Sequence, residues 1–253
     1  MLLLSKILKK ISLLLLIGGL SYAQTVTSQL SSGRFSLNQQ NYNNDFKNVK
    51  KIISKDDSYQ NMIYYYSHSS DPKDWFALGV VYLFGTNTPD KTGYTIKPDI
   101  KKAEYWLNRA TKGNFYTAGI VLASTYMYNP KYSNKKNLKK AENILKYLID
   151  KGYYKAVTYL ADCYRLEGNY EKFLSTLTMG DQYKDSTSQL SLALLYYYGL
   201  KTKTKNGKIF SIDRNLKIAN YYLTKACTNP NKTKAVANFC NPKYNKNIVY
   251  KKK

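Results

Sequence analysis

Catalysis and metal binding need particular residue types held close together, and this chain offers few of them. It has a single histidine, His68, in the run YYYSHSSD, and three cysteines, Cys163, Cys227 and Cys240. A zinc site closes on about four nitrogen or sulfur ligands, which one histidine and scattered cysteines do not supply. Ser-His-Asp and Cys-His arrangements are unsupported for the same reason. His68 among serines reads as a solvated residue at a helix end. Ser133 and Lys136 fit the S-x-x-K pattern, and Lys91-Thr92-Gly93 fits K-T-G. They stand in the reverse order for serine β-lactamases, with no S-D-N between them. GTNTPDKTG (85–93) lacks the Gly-Lys-Ser/Thr ending of a phosphate-binding loop. The expectation is no enzyme, no cofactor and no metal.

The charge points elsewhere. Forty Lys+Arg stand against 16 Asp+Glu, a formal net charge of +24. Such an excess suits a polyanionic partner. Lys, Asn, Tyr and Ile also share A/T-rich codons, so base composition alone explains the same balance. The first residues bear on which polyanion is relevant. MLLLSKILKK carries Lys6, Lys9 and Lys10, ISLLLLIGGL (11–20) is apolar, and Ser21-Tyr22-Ala23 puts small residues before Gln24. A positive stretch, an apolar stretch and a small-residue exit describe a signal peptide at 1–23. The apolar run is shorter than the roughly 20 residues of a membrane span. Removing the three leader lysines takes +24 to +21 on the mature chain. The sequence therefore predicts a periplasmic or secreted protein, with no membrane span after cleavage and no nucleic acid as partner.

The elements that would position any site repeat. Leu-(Gly/Ala)-x-x-Tyr recurs as LGVVY (78–82), LASTY (122–126), LADCY (160–164) and LALLY (192–196), at intervals of 44, 38 and 32 residues. That spacing belongs to helical-hairpin repeats. Each landmark lies on a first helix, and stretches such as DIKKAEYWLNRATKG (99–113) are second helices. There Asp99 follows Pro98 as an N-cap. Ala103, Trp106, Leu107 and Ala110 fall on one helical face. Gly113, like Gly152, should end its helix in the left-handed conformation. Gly79, Ala103, Ala110, Ala123, Ala141, Ala161 and Ala219 mark close helix–helix contact. The first and fourth units match in spacing, Gly85 to Asp99 and Gly199 to Asp213 both being 14 residues. Basic runs such as KTKTKNGK (201–208) read as loops.

These residues resemble the Sel-one-like repeat family of the tetratricopeptide-like superfamily. ALGVVYLFG…DIKKAEYWLNRATKG follows the family pattern almost throughout, with Arg109 at a Lys position and Thr111 at an Ala position. The third unit replaces its second-helix alanine by Phe173. The resemblance implies an all-α fold, a right-handed α-solenoid of about four to five stacked helical hairpins. Around that solenoid (71–240) the chain divides into a flexible, Ser/Gln/Asn-rich lead (24–42), an N-terminal helical hairpin (43–70, NNDFKNVKKIIS and DDSYQNMIYYYS) and a basic tail (241–253). Family members act as adaptor scaffolds, many in bacterial envelopes, which implies envelope proteins as partners. The rival expectation is an acidic glycan, peptidoglycan or lipopolysaccharide held by a basic, Tyr-rich surface. Cysteine-rich relatives discussed as penicillin-binding or β-lactamase proteins leave such an activity as a minor alternative.

In stacks of this kind the first helices line the concave face. With Leu, the small residue and Tyr turned to the core, that face would carry Val80, Leu83, Phe84, Ser124, Met127, Tyr128, Asp162, Arg165, Leu166, Leu194, Tyr197 and Tyr198. Phe84, Tyr128, Asp162, Arg165, Tyr197 and Tyr198 are its expected partner-binding residues, a composition typical of interface hot spots. The competing reading is that neighbouring helices cover them as core. If they line a groove, alanine at Tyr128, Arg165 and Tyr197 should leave melting little changed. Cys163 is expected as a buried free thiol. A disulfide, if formed, joins Cys227 to Cys240. Relatives bridge the two helices of a hairpin over a shorter spacing. Cys227 sits beside the TNPN turn and Cys240 about two helical turns past it, on the order of 10 Å along the axis, so the bridge requires the last segment to bend.

Overall fold

The computed structural model describes residues 58–241 apart from Asn87 and Lys205. The leader at 1–23, the lead at 24–42, residues 43–57 of the expected hairpin and the tail beyond Asn241 lie outside the described residues. The described chain is mostly helical: α1 (Tyr59–His68), α2 (Pro72–Phe84), α3 (Ile100–Lys112), α4 (Tyr116–Tyr128), α5 (Lys135–Asp150), α6 (Ala156–Leu166), α7 (Tyr170–Gln182), α8 (Ser186–Tyr198), α9 (Leu216–Thr228) and α10 (Lys234–Cys240). Strands β1 (Leu200–Lys203) and β2 (Ile209–Ile212) form an antiparallel hairpin between α8 and α9.

Short polar side chains start most of these helices. Ser58, Asp71, Asp99, Asn134, Asn169, Asp185, Asn215 and Thr233 each accept a bond from a first-turn backbone N–H. Each satisfies a donor that has no partner inside its own helix.

The residues form two compact units whose boundary falls after Thr125, within α4. In the first, α1 packs on α2 and α2 on α3. At Gly79 an added Cβ would lie 2.6 Å from Leu107 Cγ and 3.1 Å from the Leu107 nitrogen, so glycine sets the α2–α3 approach. Asp90 pins the α2–α3 loop to the start of α1. Its carboxylate accepts from the Tyr59 amide at 2.7 Å, the Thr92 amide at 2.8 Å and hydroxyl at 2.6 Å, and the Tyr94 amide at 2.9 Å.

In the second unit consecutive helices pack in sequence: α5 on α6, α6 on α7, α7 on α8, α8 on α9, and α10 back onto both α9 and α8. Gly180 of α7 is its tightest close approach, since an added Cβ would meet Ser188 Oγ at 2.2 Å and Ser188 Cβ at 2.6 Å. Gly180→Ala is expected to destabilise by about 1–2 kcal/mol through overpacking, despite the better helix propensity of alanine. Thermal melts read this directly. The cost should shrink in a Ser188→Gly background; an undiminished cost would place the strain elsewhere.

The landmark reappears as a burial pattern. Leu78, Leu122, Leu160 and Leu192 are buried, as are Ala123, Ala161, Ala193, Tyr82, Tyr126 and Tyr164, while Tyr196 is half-buried. The lysine just before the second-helix Ala or Phe lies over the landmark ring in three units. Lys102 stands 5.1 Å from Tyr82, Lys140 5.1 Å from Tyr126 and Lys172 5.2 Å from Tyr164. The fourth unit has Ile218 at that position, and Tyr196 stacks on Tyr222 instead, at 6.1 Å and 11°.

Three local expectations are corrected. Gly113 is not left-handed (φ −78°); Asn114 takes that conformation at φ 67°. Gly113 is needed because an added Cβ would meet Pro72 Cγ at 2.6 Å. KTKTKNGK is not a plain loop but most of β1 and the turn of the β1–β2 hairpin, with Lys203 paired to Ile209 of β2 and Gly207 at φ 84°. The equal 14-residue spacing does not carry over to the helix start: the cap of α9 is Asn215, two residues past Asp213, so the fourth loop is two residues longer than the first. Once this is allowed for, the two loops share their closure. The Asp99 amide donates to Tyr82 O and the Asn215 amide to Tyr196 O, both at 2.7 Å. Buried Ile96 and Ile212 bring their carbonyls against Gly85 (φ 73°) and Gly199 (φ 68°), where a Cβ would be 2.6 and 3.0 Å away.

Candidate functional site

The expected groove residues separate by depth. Val80, Leu83, Ser124, Met127, Asp162 and Leu194 are buried. Phe84, Tyr128, Arg165, Leu166, Tyr197 and Tyr198 are half-buried. The reason is that the first helices are covered on nearly every side. Phe76 to Leu83 is an unbroken buried run in α2, as is Ala156 to Tyr164 in α6. Their middle turns are buried, and side chains come to the surface only towards the helix ends.

Three of these residues meet. The Tyr128 hydroxyl and Arg165 Nε each donate to a different oxygen of Asp162. The Asp162 side chain is 2% exposed and that of Arg165 13%. Burial pushes the Tyr128 hydroxyl well above its usual range, and the Asp162 charge adds to this. Tyr128 therefore stays a neutral donor across ordinary pH. With both oxygens engaged, Asp162 holds the two side chains in place. The expectation that alanine at Tyr128 and Arg165 spares melting is thus revised.

A second buried carboxylate went unremarked in the sequence. Glu142 of α5 accepts from Lys139, from Lys146 Nζ at 2.8 Å and from the Tyr164 hydroxyl at 2.9 Å. Burial raises its pKa, but the hydrogen bonds from Lys139, Lys146 and Tyr164 outweigh this and hold it at about 2. Burial and the bond to Glu142 push the Tyr164 hydroxyl up to about 12. The signal was available: a Glu at i+3 and i−4 from lysines, just after the second-helix Ala141.

Tyr197 and Tyr198 contact each other edge-on at 4.9 Å. Arg214 lies over Tyr197 at 5.7 Å, and its Nε donates to Tyr197 O at 3.1 Å. Tyr198 packs against the apolar cluster of α8, α9 and α10. Phe84 ends α2.

The fragments with chemical resonance are occupied locally. Exposed His68 has Nδ1 2.8 Å from Tyr64 O and its ring 4.4 Å from that of Tyr64. The Ser133 hydroxyl donates to Met127 O at 2.9 Å. Thr92 of K-T-G is tied to Asp90. Among the described residues no group of three His, Cys, Asp or Glu side chains could hold a metal ion, and no helix is long and apolar enough to cross a membrane.

Cys227 and Cys240 form a disulfide, with Cα atoms 5.5 Å apart. The chain reverses at Asn229-Pro230, which removes the separation that one continuous helix would impose. Cys163 is free and buried, and burial pushes its thiol up to about 12. Labelling of the unfolded, unreduced chain should find one thiol, and the native chain should leave Cys163 unreacted at pH 8. Three thiols would exclude the bridge.

A shallow pocket of about 470 Å³ opens on α7 and β2, lined by Glu171, Leu174, Ser175, Thr178, Met179, Gln182 and Phe210. It takes in none of the expected groove residues. Comparison of the chain with known families, curated proteins and solved structures finds no match.

Proposed function

We propose that the chain is a non-catalytic scaffold of Sel-one-like repeats, exported to the bacterial envelope, that binds another envelope protein. In this reading the helices continue as a right-handed solenoid of about four to five hairpins. Its contact residues are those that surface at the ends of first helices: Phe84, Tyr197 and the outer edges of Tyr128, Arg165 and Tyr198. The supporting observation is the landmark itself, in which buried Leu, small residue and Tyr recur with a lysine over the ring in three units. Such repetition builds stacked surfaces rather than a single reactive centre. The Cys227–Cys240 bridge suits an oxidising compartment.

Crosslinking in the native envelope followed by mass spectrometry tests the reading. A single captured protein, lost with Phe84→Ala and Tyr197→Ala at unchanged melting temperature, is the expected result. Capture unaffected by both changes would place the contact elsewhere. Export predicts a mature N-terminus at Gln24; a chain retained in the cytoplasm with Met1 in place would remove the envelope from the proposal.

One observation favours an acidic glycan as a second reading. Tyr154 and Tyr183 stack at 4.0 Å and 13°, 46% and 39% exposed, and offer ring faces to sugars on a basic protein. Ionic capture of a polyanion weakens as screening shortens, to about 3 Å at 1 M salt. Binding that survives about half-molar salt would count against it.

A further inference from the structure

Helix α10 has seven residues, too few for a helix to persist by itself in water. It is also shallowly seated. Val236 is its one fully buried side chain, while Phe239 and Cys240 are half-buried against a cluster formed by Leu190, Leu194, Leu223 and Ala226. The turn before it is better fixed. Asn229 Nδ2 donates to Lys184 O at 2.7 Å and Gln189 Oε1 at 3.1 Å, and the Thr233 amide donates to Ser186 Oγ at 3.2 Å. At the far end of the helix the covalent tie is the disulfide from Cys240 to Cys227, and both cysteines are half-buried, within reach of a reductant.

We propose that α10 is a redox-sensitive cap on the apolar face of α8 and α9. The reductant is a dithiol. One of its thiolates attacks a cystine sulfur and displaces the other cysteine as a thiolate; the second thiol then resolves the mixed disulfide. Two electrons and two protons pass to the cystine, giving two cysteine thiols and the oxidised dithiol. Without the tie α10 melts from its C-terminal end, and Leu190, Leu194 and Leu223 lose their cover. The anchored turn at Asn229 and the helices before it keep their structure, because their contacts do not involve the bridge.

Hydrogen–deuterium exchange of the whole chain, before and after dithiothreitol, tests this. Thiol labelling of an unfolded aliquot first confirms that reduction has raised the thiol count from one to three. Amides of 234–240 should then exchange roughly a hundredfold faster, while those of α5 and α6 keep their rates. The Cys227→Ser/Cys240→Ser variant should reproduce the reduced pattern without any reductant. Unchanged exchange in α10 after full reduction overturns the proposal. So does a general acceleration, or a double variant without helical structure, since either would make the bridge a requirement of the whole fold.

Discussion

Asp162→Ala is expected to cost about 3–4 kcal/mol, the cost of leaving a buried charge unpaired. Asp162 is buried on α6, and both of its oxygens are engaged, by Tyr128 from the end of α4 and by Arg165 one turn on. Without the carboxylate, a guanidinium that is 13% exposed has no counter-charge, and a buried hydroxyl loses its acceptor. For a chain of this size such a loss lowers the melting temperature by roughly 6–16 °C. Asp162→Asn, which keeps an acceptor without the charge, should fall between. Replacing both charges, as Asp162→Leu with Arg165→Met, should recover much of the loss, because an apolar pair carries no desolvation penalty. A melting temperature within 2 °C of the parent for Asp162→Ala would show that water reaches the cluster and that it holds nothing in place. The result also governs how binding variants are read: an effect of Tyr128→Ala on capture is interpretable only after its effect on folding is subtracted.

Much of the helical order was legible because short-range rules fix it. Asp99 after Pro98, followed by Ala103, Leu107 and Ala110 on one face, gives α3 its start and its buried stripe, and all three side chains are fully buried. What was less legible depends on neighbours distant in sequence. Residues two after each landmark Leu were assigned to a groove by register, yet Val80, Ser124, Asp162 and Leu194 are all buried. A periodic pattern says which face is most apolar, but not that a helix is covered on every side. Gly113 and Asn114 exchanged roles for a related reason. A helix end allows either residue to turn left-handed; here Asn114 does, and the lack of a side chain at Gly113 serves the close approach of Pro72 instead. The β1–β2 hairpin escaped notice because KTKTK is polar on both faces of the strand, leaving no apolar alternation to read. Glu142 was hidden by composition, one of two acids (with Asp150) in a lysine-rich helix that looked like solvated surface. The lysines over Tyr82, Tyr126 and Tyr164 stood at a repeating position and could have been found by aligning the second helices on their Ala or Phe.

Glu142 sets the second large expectation, a stability that drains away in acid. Its folded pKa, held at about 2, lies below the ordinary Glu value of 4.5. A depressed carboxyl contributes stability that is fully present above its unfolded pKa. It is lost as pH falls through the interval down to the folded value. The window therefore runs from about pH 4.5 to about pH 2, and the contribution above it is roughly 2–3 kcal/mol, the side chain being 3% exposed. Asp90, for which lost water contact is outweighed by bonds from Thr92, Tyr59 and Tyr94, is also held at about 2, against an ordinary 3.8, so its narrower window lies inside that of Glu142. Glu142→Gln keeps an acceptor for Tyr164 but removes the proton-linked part. Its stability deficit against the parent should be near its full value at pH 7, shrink below pH 4.5 and close by about pH 2. Denaturant unfolding of both chains at pH 7, 4 and 2.5 measures that convergence. A deficit that stays constant across the three would mean that Glu142 contributes through packing alone, with its charge in solvent. Convergence would instead tie the α5–α6 contact to the ionised carboxylate and its three donors, Lys139, Lys146 and Tyr164.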